Sequence, residues 1–256
     1  MTKRIAVAGK GGVGKTTFCA LAIKLLLEHN IKPVLAVDAD PNSNLGDLLG
    51  IKYSSTIADI RDEIRENKNI PTGMAKSDYV DMKLNEIISE GAGLDFIAMG
   101  RPEGRECYCY INEILRGFLS KITNQYAAVV LDNEAGMEHL SRRTTDNIDT
   151  LFIMTDPTIV SINSAKRVSE AAKKLKLKIE KTYLVLNRVK PGVDTSLILK
   201  DVPIELIGRL PREESIVTRS EKGEPLTGLP ENNPYIIELN NILKKTGILT
   251  GFVLHS

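Results

Sequence analysis

The stretch GKGGVGKT, Gly9 to Thr16, fits the pattern G-x-x-x-x-G-K-[ST] and lies between the apolar run RIAVAG and a helix-like segment. Glycines at these spacings let the backbone curl until consecutive N–H groups point inward, and the helix that follows adds its positive end. The amides of Gly11, Gly12, Val13, Gly14, Lys15, Thr16 and Thr17 are therefore expected to hold phosphate oxygens. Lys15 is expected to reach the terminal phosphates and Thr16 to hold magnesium through its hydroxyl. The implied chemistry is phosphoryl transfer from a nucleoside triphosphate. Lys10 occupies a position that the general pattern leaves free. It is either a solvated lysine or a cation offered to phosphates held by a facing subunit.

A second chemical feature is the pair Cys107 and Cys109 in ECYCYIN; the remaining cysteine, Cys19, lies far upstream. A closed structural metal site needs about four ligands, so one chain holds half of one. Residues two apart point the same way only in extended backbone, and the start of a helix lowers a thiol pKa toward the metal-binding thiolate. Two chains related by a two-fold axis would place four thiolates around one Ni2+ or Zn2+. The alternatives are a pair of small apolar side chains beside a core strand, or a regulatory thiol pair. Cys19 falls inside the helix after the phosphate loop and is expected in the core.

The elements that must position these groups are legible as short β-branched runs separated by helix-like segments. RIAVAG, PVLAVDAD, LDFIAMG, AAVVLDN, TLFIMTD, TYLVLNR and IELIGRL read as strands buried on both faces of a mainly parallel sheet. The stretches 17–30 and 162–175 have crossover length and helical spacing. The expected fold class is α/β, a doubly wound sheet with helices on both faces, in one domain spanning 1–256. Residues 51–92 read as a helical excursion over the surface, and a Cys-x-Cys loop is expected near 101–110. Gly9, Asp38, Gly100, Asp132, Asp156 and Asn187 stand at strand ends, where open α/β sheets bind ligands. Carboxylates there are reasonable magnesium anchors, which brings Asp38 and Asp132 to the phosphate loop; as helix N-caps such residues are equally common.

Composition narrows the function classes. The 256 residues carry 34 Lys plus Arg against 33 Asp plus Glu, a net charge of +1. No global field favours nucleic acid or an anionic membrane, and neither is expected as a partner. No apolar run reaches the roughly 18 residues of a membrane span, and the N-terminus does not read as a signal peptide, so a cytoplasmic protein is expected.

With its extra lysine, KGGVGKTT resembles the deviant Walker A motif of the P-loop NTPase family that includes MinD, ParA and the nitrogenase iron protein. VDADPNSNL resembles that family's first switch, which implies that Asp40 orients the attacking water and that Asp38 assists magnesium through a water. VVLDNEAGMEHLSR resembles the second switch, with Asp132 as the Walker B carboxylate and Gly136 free to move. The resemblance further implies adenine recognition by Asn187 and closure of the backbone near Leu210 and Pro211 over the base. GRPEGRECYCYIN is similar to the corresponding stretch of carbon monoxide dehydrogenase maturation ATPases and of the related acetyl-CoA synthase factors. That similarity implies ATP/ADP and Mg2+ as cofactors, an ATP-dependent homodimer, nickel insertion, and a nickel iron–sulfur enzyme as client. The rival expectation is a ParA- or MinD-like positioning ATPase that binds DNA or membrane.

Overall fold

The computed structural model describes residues 1–65, 70–101, 117–134, 147–174, 178–200 and 202–249. Seven strands form one sheet: β1 (Lys3–Gly9), β2 (Val34–Ala39), β3 (Leu94–Ala98), β4 (Ala128–Asn133), β5 (Asn147–Thr155), β6 (Lys178–Val189) and β7 (Glu205–Pro211). Their order is β3-β2-β4-β1-β5-β6-β7, and every pairing is parallel. All carboxyl ends therefore share one edge, and the phosphate-loop strand β1 sits inside the sheet between β4 and β5.

The helices are α1 (Lys15–Glu28), α2 (Leu45–Leu49), α3 (Ile57–Arg65), α4 (Lys76–Glu86), α5 (Ile159–Lys174), α6 (Ser196–Leu199), α7 (Glu214–Lys222) and α8 (Pro234–Lys245). A further helical turn runs over 117–122. They cover both faces of the sheet. One core joins Val7, Ala36 and Val130 to Phe18, Leu21 and Leu26 of α1 and to Leu239 and Ile242 of α8. The other joins Ala8, Val37 and Leu131 to Ile57 of α3, Leu84 of α4 and Val168 of α5. Period-2 alternation makes this division: successive strand residues face opposite cores, so each strand must be apolar throughout. Burying one such leucine fully stabilises the fold by about 1.5–3 kcal/mol.

The stretch 51–92 contains helices as expected in kind, and several of its apolar residues are core rather than surface, although Met74 and Met82 are exposed. Ile57, Ile60, Tyr79 and Leu84 are all 2% exposed or less. They close the second face of the sheet, a role their polar, irregular surroundings conceal.

Candidate functional site

The carboxyl edge gathers the predicted residues around α1. Gly9 ends β1 with φ 149°, and a side chain there would overlap the Met154 carbonyl of β5. Gly12 and Gly14 follow at φ 78° and 93°, the left-handed region where glycine is unstrained. Gly14 is the N-cap of α1, and the first turn has neither a side-chain cap nor an acidic residue. Its amides and the positive end of the helix thus face the crevice uncompensated. Lys15, 6% exposed, folds back so that Nζ lies 3.4 Å from the Lys10 carbonyl. Among the described residues this carbonyl is its one hydrogen-bond partner, which suits the ammonium to an incoming anion. Thr16 and Thr17 are half-buried, while Lys10 is exposed.

Asp38 and Asp132 are directly paired across β2 and β4, on the face that α1 covers. Asp38 is fully buried and accepts the amides of Asp40 at 3.1 Å and Leu45 at 2.8 Å. Burial, then the neighbouring Asp132 charge, pushes its carboxyl up to about 8 against those two bonds. Asp132 is 1% exposed, and neither of its oxygens has a hydrogen bond of good geometry. Burial raises it to about 6, opposed by the Thr16 hydroxyl and the Lys15 ammonium. Two adjacent buried carboxyls, one with both oxygens orphaned, are a poor structural pair and a good divalent-cation anchor. With the Thr16 hydroxyl they fit Mg2+, an oxygen-seeking ion. Asp40 is half-buried at the crevice, its Oδ1 accepting both the backbone and side-chain N–H groups of Asn42 at 2.9 Å.

Beside the loop lies a cleft of about 520 Å³. Gly14, Thr17, Asn187 and Pro211 line it. The Asn187 amide also braces the loop: Nδ2 donates to the Val13 carbonyl at 2.8 Å, and Oδ1 accepts the Arg188 amide at 2.9 Å. Leu210 is fully buried and its side chain belongs to the core. Sequence reasoning missed Arg188, Arg212 and Tyr235 and the α7 side of the cleft, which runs from Glu213 through Ile216, Val217 and Ser220 to Glu221. The PREES run after β7 could have pointed to the α7 wall; no local signal marks Tyr235, which is brought in from α8.

Cys107, Cys109 and Gly136 lie outside the described residues. Cys19 is fully buried in the α1 core, as expected, and burial holds its thiol well above the usual range. Among the described residues no three His, Cys, Asp or Glu side chains cluster as metal ligands, and no helix is long and apolar enough to cross a membrane.

Comparison with known proteins agrees with this geometry. The chain is 43% identical, over 94% of its length and 97% of the other protein's, to an uncharacterised ATP-binding protein of Methanocaldococcus jannaschii. It is 28% identical to the carbon monoxide dehydrogenase accessory protein CooC of Rhodospirillum rubrum, over 86% of this chain and 88% of that one. The MinC:MinD cell division complex of Aquifex aeolicus superimposes with a TM-score of 0.72 at 22% identity, over 99% of this chain and 98% of that one, a likeness of fold. Residues 5–226 match the model of the CobQ/CobB/MinD/ParA nucleotide binding domain. The chain belongs to that family and is an ATP-binding P-loop ATPase.

Proposed function

We propose that this ATPase is a nickel-insertion factor: ATP binding pairs two copies, and the hydrolytic cycle governs transfer of nickel to carbon monoxide dehydrogenase or acetyl-CoA synthase. The observation that carries the reading is the Cys107-x-Cys109 pair in a chain whose similarity to the CooC accessory protein extends over 86% of its length. In this scheme residues 1–256 act as one ATPase domain, and the loop near 101–110 presents two thiolates to two from a second copy. Ni2+ is the cargo, and Zn2+ is a competing occupant of the same thiolates.

The chemistry falls to residues of the carboxyl edge. The amides of Gly11 to Thr17 and the Lys15 ammonium bind the phosphates; Thr16, Asp38 and Asp132 hold the magnesium that neutralises them. Asp40, kept in place by Asn42, orients the attacking water, and Lys10 reaches the phosphates of the partner copy. Asn187 and the backbone at Leu210 and Pro211 enclose the base. Orphaned oxygens on Asp132 support this reading, because burial without a partner is costly unless a ligand repays it.

A second reading has its own support. MinD proteins are also relatives, one from Helicobacter pylori being 27% identical over 86% of this chain, and a positioning ATPase would bind DNA or membrane instead of metal. Metal analysis separates the two. The nickel reading expects one ion per two chains, lost in Cys107→Ser and in Cys109→Ser and retained in Cys19→Ser. One ion per chain, or binding that survives loss of both loop cysteines, would refute it.

A further inference from the structure

Strand β6 carries an irregularity at the site. Leu186 pairs with Arg209 and Val189 with Pro211, so β6 spends one residue more than β7 over this interval. The bulge falls at Asn187 and Arg188, and regular pairing resumes where the Arg212 amide meets the Val189 carbonyl at 3.1 Å. Bulges beside sites re-aim side chains. Here one residue, Asn187, turns inward to brace Val13, and the next, Arg188, lines the cleft.

The bulge has a conformational cost. Arg188 has φ 58°, left-handed backbone that costs an L-residue with a Cβ energy and costs glycine none. The Asn187 Oδ1 bond to its amide holds it there. A strained residue at a site is a reason to ask what its side chain does. Two arginines line the cleft. Arg212 is paired with Glu214 at 2.9 Å, and the Glu213 carboxylate is occupied by Ser215. Arg188 makes no ion pair with any described residue. Its charge is nonetheless felt at Tyr235, which also lines the cleft, where it opposes the upward pull of burial on the hydroxyl.

We propose that Arg188 is a nucleotide-binding residue whose guanidinium stacks on the base in the cleft, and that its strained backbone is retained to aim it there. The cleft fits such a contact. The phosphates belong to the loop and α1, and the same cleft that Gly14 and Thr17 line is also lined by Arg188 and by the apolar Pro211, Ile216 and Val217, so a base there has a planar cation and apolar groups around it. A guanidinium is flat and weakly hydrated, so it stacks on a π face where an ammonium does not. The inference rests on the nucleotide reading of the cleft and is independent of nickel.

The test is calorimetric titration of MgATP, MgADP and AMP into full-length wild type, Arg188→Gly, Arg188→Asn and Arg188→Lys, with thermal melts of each apo protein. Gly and Asn accommodate the left-handed backbone, so Tm is expected to be unchanged or raised while affinity falls about five- to thirty-fold. The factor should be the same for all three nucleotides and insensitive to salt, and Lys should not restore it. Unchanged affinity overturns the proposal. So does a loss that grows with phosphate number and weakens in salt, which marks a charge contact, or a Tm that falls with affinity, which marks a structural residue. Lys15→Ala serves as the control: if it still abolishes binding while the Arg188 variants bind normally, the nucleotide reading stands and only the stacking role fails.

Discussion

Magnesium nucleotide should displace protons from the paired carboxyls, and the direction follows from their environment. Burial, with the neighbouring Asp132 charge, pushes Asp38 up to about 8, and burial pushes Asp132 up to about 6, against an ordinary 3.8 for both. A divalent cation favours both ionised, so binding near neutral pH should release protons, more as pH is lowered and less as it is raised. The same linkage fixes the sign for stability. Both folded-state values are raised, so the folded chain holds protons that the unfolded chain has lost. Without a cation, stability should therefore fall as pH climbs from about 4 to about 8. Titrating MgADP calorimetrically at pH 7, in buffers of different ionisation enthalpy, reads the proton count directly. Asp38→Asn should remove most of the release. Heats independent of buffer in the wild type would refute the claim that these two carboxyls share a cation with the nucleotide.

Lys15→Ala should lose ATP affinity severely, while Asp40→Asn should bind ATP with near-normal affinity and lose turnover about a hundred-fold or more; equal losses of affinity would show that the two roles are not separate. Gly14→Ala places a side chain against the Asn187 amide at φ 93° and should cost about 1–3 kcal/mol of stability together with nucleotide binding, read by melts and titration. Lys10→Ala should fold and bind ATP normally but hydrolyse slowly and remain monomeric with an ATP analogue in light scattering. Normal ATP-dependent pairing would make Lys10 a solvated side chain.

The loop, the strands and the shared edge were legible because each rests on a local rule. Glycine spacing shapes a phosphate loop whatever surrounds it, and strands buried on both faces must be apolar throughout. Asp38 and Asp132 were legible as strand-end carboxylates, although their direct pairing is a matter of sheet order, which no single strand encodes. The far wall of the cleft was not legible. Tyr235 arrives from a helix more than two hundred residues after the loop, and Arg188 owes its direction to a one-residue register slip between two strands. Leu210 shows that a strand residue beside a site has two roles, since its side chain faces the core while its backbone stays at the carboxyl edge. The buried contacts of the helices in 51–92 were not legible because a few residues, Ile57 and Tyr79 among them, suffice to dock an otherwise polar helix.

The proposed coupling of ATP to nickel is tested most directly by titrating Ni2+ into the metal-free chain without nucleotide, with ADP and with a non-hydrolysable ATP analogue, while mass is followed by light scattering. The account predicts one ion per two chains, a dimer whenever the ion is bound, and a nickel affinity that changes with nucleotide. Linkage then requires the same factor in nucleotide affinity when nickel is present. Nickel affinity identical in all three nucleotide states, or binding by a monomer, would contradict it.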